Sequence, residues 1–388
     1  MTDLLEHQGK HLFREAGIAV PRGELVGSPG DAAATAERLG GRVVCKAQVP
    51  AGKRGKAGAV QLVTSPAEAH DVAARLLGSE VGGHRVESLL VEEAVAIAAE
   101  FYAAILNDPV SKGPLVLLSA DGGMDIEEVS ATRPERLHKL AVDIGAGLEP
   151  GDALGLTRRS ALPTEAVDPV AAALTRLYHV YRDTDASLVE VNPLVLTEAG
   201  DVVAIDAKVS IDTAATPRQQ QTLDALPGVL PAEPGTELER EAARLGLQFI
   251  ELDGDVGVLA NGAGLTMTTL DAVNHFGGRP ANFLEIGGDA YTKATPALRL
   301  VLSNPNVRSL LVNFCGAFAR TDVMTEGVLN AIDELRPDIP IAFTIHGTGE
   351  REAIALVRER LGVTPHEAMD DAVRAAISAA REGQEVAS

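Results

Sequence analysis

The chain has 388 residues, and 34 Lys and Arg against 55 Asp and Glu give a formal charge of −21. That acidity argues against nucleic acid or an anionic membrane as the main partner, because both attract positive surfaces. Aromatic residues are only 3%, with no Trp, so the core is built from Ala, Val, Leu and Ile, which suits helices packed on parallel sheets.

In chain order, Leu4, Leu5, Leu12, Phe13 and Ala16 fall near one face of a helix over 3–16, which Gly17 can end. This amphipathic, charged start does not read as a signal peptide. A second helix spans 31–39. Val43 to Val49 reads as a strand, a glycine loop follows, and Ala59 to Val63 returns. Pro66 sits at a helix start, where its missing amide hydrogen costs little. Strands follow at 87–92, 100–107 and 114–119, then a helix over 168–182 and strands at 187–191 and 202–206. The stretch 226–239, rich in Pro, Gly and acid, marks a boundary between domains at 1–228 and 236–388. Beyond it, strands at 256–260, 282–286, 309–313 and 340–345 alternate with helices at 265–276, 294–303, 319–336, 350–361 and 367–382. That alternation predicts a doubly wound α/β domain. No apolar run reaches the roughly 18 residues of a membrane span. Cys45 and Cys315 have no metal-like spacing; they read as buried small hydrophobes in a reducing cytoplasm.

Four groups of residues carry candidate chemistry. The first is the loop VPAGKRGKAGAV at 49–60, which holds Gly52, Gly55 and Gly58 among Lys53, Arg54 and Lys56. Glycines let backbone amides approach phosphate oxygens; Lys46 adds a point charge and Arg54 a planar fork. The second is Glu190-Val191-Asn192-Pro193. Period-2 alternation puts Glu190 and Asn192 on one face, and Pro193 is expected to stop the ladder. Asp206 and Lys208 share a face of a neighbouring strand, so oxygens of Asn192 and Asp206 suit Mg²⁺. The third is the series of small-residue turns after four strands of the second half, at Asn261-Gly262, Gly287-Gly288-Asp289, Cys315-Gly316-Ala317 and His346-Gly347. These lie at the ligand edge of a parallel sheet. The fourth, His346 alone, reads as a structural or ligand-contact residue.

Assembled, these positions resemble the β subunits of succinyl-CoA synthetase (succinate–CoA ligase) over nearly the whole length. The resemblance rests on L-x-E-x-Q-G-K-x-L-F, K-A-Q-V-x-A-G-x-R-G-K-A-G, Gly122-Gly123-Met124-Asp125-Ile126-Glu127, E-V-N-P-L, V-x-A-I-D-A-K, A-N-G-A-G-L-x-M-x-T and A-N-F-L-E-I-G-G. It implies an ATP-grasp half of two subdomains followed by a flavodoxin-like CoA-ligase half. It implies that Lys46 and the loop Lys53, Arg54 and Gly55 contact phosphates of ATP or ADP. Glu92, Val95 and Glu100 would hold base and ribose, Asn192 and Asp206 Mg²⁺, and Glu190 would orient a phosphorylated histidine. Asn261 and the turn Gly316, Ala317, Phe318 and Ala319 would contact succinate or a related dicarboxylate and phosphate. A partner α subunit would supply that histidine and most of the CoA site, in an αβ or α2β2 assembly. The reaction would pass through an acyl phosphate, with CoA taking the acyl group.

The chain departs from the family pattern at Pro50 (usually His), Lys53 and Asp289 (usually Gly), and Ala317 and Phe318 (usually Gly and Ile). Because these departures cluster at substrate-contacting turns, they suggest an altered acid substrate or weakened activity. Two alternatives follow: a malate–CoA ligase β subunit, or a paralogue that binds nucleotide without catalysis.

Overall fold

The structure is a computed structural model that describes residues 2–52, 54–228, 235–286 and 290–386. Lys53, Gly287, Gly288 and Asp289 lie outside the described residues. The chain divides into two compact units, Met1–Ala232 and Glu233–Ser388.

Unit 1 holds two antiparallel sheets. The small sheet has the order Gly23–Val26, Leu89–Glu93, Val43–Ala47, Val60–Val63. Alternation assigns its faces: Val43, Cys45, Ala47, Leu89 and Val91 form a core with helices Pro29–Arg38 and Pro66–Leu76. Ser28 and Ser65 cap those helices, each accepting a hydrogen bond from the backbone amide three residues on. Lys46 and Glu92 point the other way.

The large sheet runs Thr2–Asp3, Lys208–Ile211, Ala186–Thr197, Ile97–Asp108, Gly113–Ser119, His138–Ala141, with Val202–Ala204 also paired to Ala186–Thr197. Helices Glu6–Glu15, Pro150–Arg159 and Thr164–Asp183 share its core through Phe13, Leu156, Leu174 and Leu177. Full burial of such a side chain contributes about 2 kcal/mol. Gly9 lets the first helix lie close to the sheet, since a Cβ there would come within 3.1 Å of the Ala207 Cβ.

Two expectations about this sheet are corrected. Pro193 does not stop the ladder. Ala186–Thr197 runs through it, with the register against Ile97–Asp108 shifting between Val191 and Leu194, so the proline sits where no ladder bond is needed. The strand expected at 202–206 ends at Ala204. Asp206 therefore lies in a break, and Lys208 begins the next strand.

Unit 2 is a five-stranded sheet ordered Gln248–Glu251, Asn282–Glu285, Val256–Ala260, Ser309–Gly316, Ile341–Gly347. The last four strands are parallel, and Gln248–Glu251 is antiparallel to its neighbour. Helices Ala263–His275 and Met369–Val386 cover one face through Val273, Val373 and Ile377. Glu237–Arg244, Ala290–Ser303, Thr321–Leu335 and Glu350–Leu361 cover the other. The first parallel strand, Val256–Ala260, has its successor on one side and the third strand on the other. The strand order reverses between Val256–Ala260 and Ser309–Gly316, which is where ligands bind in such sheets.

Candidate functional site

In unit 1 the outward face of the small sheet meets the first helix and the 205–206 break. Glu6 and Lys10, one helical turn apart, project together. Lys46 Nζ lies 2.8 Å from Glu6 Oε1 and 2.6 Å from Glu92 Oε1, and also donates to the Ile205 carbonyl. Lys10 Nζ lies 2.8 Å from Glu6 Oε1, 2.6 Å from Glu92 Oε2 and 2.8 Å from the Ile205 carbonyl. Arg54 reaches in from the glycine loop, 2.7 Å from Glu6 Oε2 and 3.0 Å from Asp206 Oδ1, and donates to the Ala47 carbonyl at 3.1 Å. Glu92 is thus turned into an ionic cluster with Lys46. Gly55, next to Arg54, is exposed, and its carbonyl accepts from the Gly58 amide at 3.1 Å.

The electrostatics follow from this packing. Burial opposes ionisation of Glu6, but Lys10, Lys46 and Arg54 outweigh it and hold the carboxyl well below its ordinary value. Burial likewise opposes the Lys46 charge, yet Glu6, Glu92 and Asp206 push its pKa up. Lys10 is pushed down by burial and by the neighbouring Lys46. At Asp206, burial and the Glu6 charge raise the pKa against the pull of Arg54 and Lys46.

The E-V-N-P segment lies on the large sheet. Glu190 pairs in register with Lys208 and Ala104, and Tyr102 donates to its Oε2 at 3.4 Å. Burial raises the Glu190 pKa, Lys208 opposing and Asp206 reinforcing the shift. The Asn192 amide accepts from the Gly123 backbone at 2.8 Å and donates to the Met124 carbonyl at 2.9 Å. Asn192 and Asp206 offer hard oxygen donors, and a divalent cation would relieve the crowding of Asp206 with Glu6, so the donor set fits Mg²⁺. Among the described residues no cluster of three or more His, Cys, Asp or Glu is placed to hold a metal.

Val95 lies half-buried on the link between the two sheets. Glu100 follows on Ile97–Asp108. Its carbonyl accepts from Gly122 at 3.1 Å, and its carboxylate passes so near Gly123 that a Cβ there would come within 2.3 Å of Oε2. The G-G-M-D turn is therefore packed between Glu100 and Asn192.

In unit 2 the switch point is latched by one side chain. Asn261 donates to the Cys315 carbonyl at 2.9 Å and accepts from the Cys315 amide at 2.8 Å, tying the two strand ends together. The turn Gly316–Ala319 leads into helix Thr321–Leu335. A Cβ at Gly316 would come within 2.1 Å of the Ala319 carbonyl oxygen. Phe318 is fully exposed and Ala319 partly buried. Thr348 supports the turn: its hydroxyl donates to the Ala317 carbonyl at 3.0 Å. His346 is half-exposed, 3.2 Å from the Thr344 hydroxyl and 3.8 Å from Glu350.

The cysteine expectation holds for Cys45, which burial pushes up to about 11. It is corrected for Cys315, which is exposed near the carboxyl end of its strand, between buried Phe314 and Gly316. Sequence reasoning also gave no role to Glu6, Lys10, Tyr102 or the Ile205 carbonyl. The E-x-x-x-K spacing in the opening motif was the available signal for the first two.

Domain-family comparisons match this architecture. The ATP-grasp domain matches residues 3–196 and the CoA-ligase domain residues 259–378. Succinate–CoA ligase (ADP-forming) subunit beta of Rubrobacter xylanophilus is 43% identical over 98% of this chain and 99% of its own. Succinate–CoA ligase (GDP-forming) subunit beta of Thermus thermophilus is 41% identical over 92% and 93%. ATP citrate lyase from Methanothrix soehngenii, solved with citrate and coenzyme A, shares the fold with a TM-score of 0.69, at 24% identity over 97% of this chain and 99% of that one. The fold and sites define an ATP-grasp protein carrying a CoA-ligase domain. Within that class, the chain belongs to the succinate–CoA ligase β-subunit family.

Proposed function

We propose that this chain is the nucleotide-binding subunit of an acid–CoA ligase that couples thioester formation from succinate to cleavage of ATP, and the reverse. The observation that carries the reading is the convergence of Lys46 and Arg54, from a strand and from the glycine loop after it, on one mostly buried site. Such a pair neutralises and positions phosphates, which is most of what a protein contributes to phosphoryl transfer. Lys53 and Gly55 complete the loop, and Val95 and Glu100 are assigned to base and ribose; Glu92, first read as a third such contact, has both oxygens on Lys10 and Lys46 and is assigned to the phosphate end of the site.

Asn192 and Asp206 would hold Mg²⁺, which when bound would neutralise phosphate charge. Glu190 is assigned to orient a phosphohistidine supplied by an α subunit, which would also hold most of the CoA. Asn261 and Gly316 to Ala319 are assigned to the acid and phosphate, at the positive end of the following helix. Among the described residues no helix is long and apolar enough to cross a membrane. The free thiols of Cys45 and Cys315 fit a reducing cytoplasm. The relatives carry the succinate name, so the malate and non-catalytic readings are not favoured.

The test is to mix the chain, its candidate α partner, Mg²⁺ and γ-labelled ATP, and look for acid-labile label on an α histidine. Label is expected. Its absence, while a related α–β pair labels normally alongside, would overturn the reading.

A further inference from the structure

The buried cluster contains three cations, Lys10, Lys46 and Arg54, and three carboxylates, Glu6, Glu92 and Asp206. With all six ionised it is neutral. Its members differ in depth. Side-chain exposure is 1% for Glu6, 3% for Lys10 and Glu92, 8% for Lys46, 13% for Arg54 and 30% for Asp206. Lys10 and Lys46 bond the same Glu6 oxygen, opposite oxygens of Glu92 and the same Ile205 carbonyl. The two ammonium groups are therefore interchangeable partners for one set of acceptors, Lys10 being the less exposed of the two.

We infer that Glu6 and Glu92 stand in for phosphate in the ligand-free chain, and that Lys10 is the positioning residue that makes the exchange possible. The inference rests on the nucleotide reading above. When a nucleoside phosphate draws Lys46 and Arg54 toward itself, Glu6 and Glu92 lose two of their three cations. A buried carboxylate left unpaired is costly, and here it would also face the incoming phosphate. Lys10 is too deep to follow the ligand, so it stays and keeps both carboxylates compensated. It acts through Glu6, Glu92 and Lys46 and need not touch the nucleotide.

The consequence is a charge ladder. Nucleotide affinity should follow the net charge of the cluster: +1 in Glu6→Gln, zero in the wild type and in Glu6→Gln/Lys10→Met, and −1 in Lys10→Met. The measurement is the dissociation constant of ADP for the full chain by titration calorimetry, in EDTA and again with Mg²⁺, alongside far-UV circular dichroism to confirm folding. Lys10→Met should bind ADP at least about tenfold more weakly than wild type. The double variant should return to near wild type, Glu6→Gln should bind more tightly, and Lys10→Arg should retain most of the affinity.

A purely structural Lys10 would lower the melting temperature of Lys10→Met without changing the affinity of the folded chain, and that result would overturn the inference. If Lys10→Met fails to fold, the isosteric Glu6→Gln decides alone, since weaker binding than wild type contradicts the ladder. Failure of the wild type itself to bind ADP would instead remove the nucleotide reading, and the inference with it.

Discussion

Glu190 is a carboxylate held where its charge is unwelcome. Its pKa is raised by burial, so the folded chain binds that proton more tightly than the unfolded one. Its contribution turns against the fold as pH rises above the ordinary value of 4.5. Glu190→Gln should therefore raise the melting temperature at pH 8, with the gap closing toward pH 4, while labelling of the α histidine falls on the order of 100-fold. A variant less stable at pH 8 would contradict this account. Glu6 is the opposite case: its lowered pKa gives stability that is present above 4.5 and lost as pH falls through the folded value. Lys46 and Arg54 were legible in the sequence because glycines and cations in an acidic chain announce an anion site. Their pairing was not: Glu6 had no assigned role, and Glu92 and Asp206 were read as nucleotide and metal contacts, because the three come from distant segments that only the tertiary fold brings together.

At the scale of elements, the ligand edge of unit 2 depends on backbone that only glycine can supply. Gly347 has φ +98°, and a Cβ there would come within 2.0 Å of the Gly316 carbonyl oxygen on the next strand. Gly347→Ala should cost more than about 2 kcal/mol and shift the denaturant midpoint of unit 2 downward. An unchanged midpoint would show that the turn can relax. Most helices and parallel strands were readable from periodicity. The strand Gln248–Glu251 and helix Glu237–Arg244 were not, since four residues ending in Glu give too short an apolar pattern and the helix has a single large apolar residue, Leu238. The course of the chain through Pro193 was misread because a proline removes a ladder bond only where the ladder has one to lose.

For the whole molecule, a net charge of −21 contrasts with a buried ionic cluster in unit 1 whose own six charges cancel. The architecture of two unlike halves was legible from the change of texture after residue 239, and the turns at the carboxyl edge of the unit 2 sheet from their small residues, but the strand order that sets the switch point was not. The latch across that switch point was not, because a side chain spanning 54 residues leaves no local trace. The latch also governs how this protein ages. Asn261 precedes Gly262, a pair prone to lose the amide when the glycine nitrogen attacks the asparagine side chain through a cyclic imide. Here the Gly262 amide donates to Glu285 at 3.2 Å, and both ends of the Asn261 amide are occupied by Cys315. Native chain should accumulate isoaspartate at 261 at least about tenfold more slowly than chain held in urea, as read by peptide mass spectrometry, because reaction must wait for local opening. Equal rates would mean the latch is open most of the time. The same two hydrogen bonds that fix the width of the crevice thus also set the shelf life of the residue that makes them.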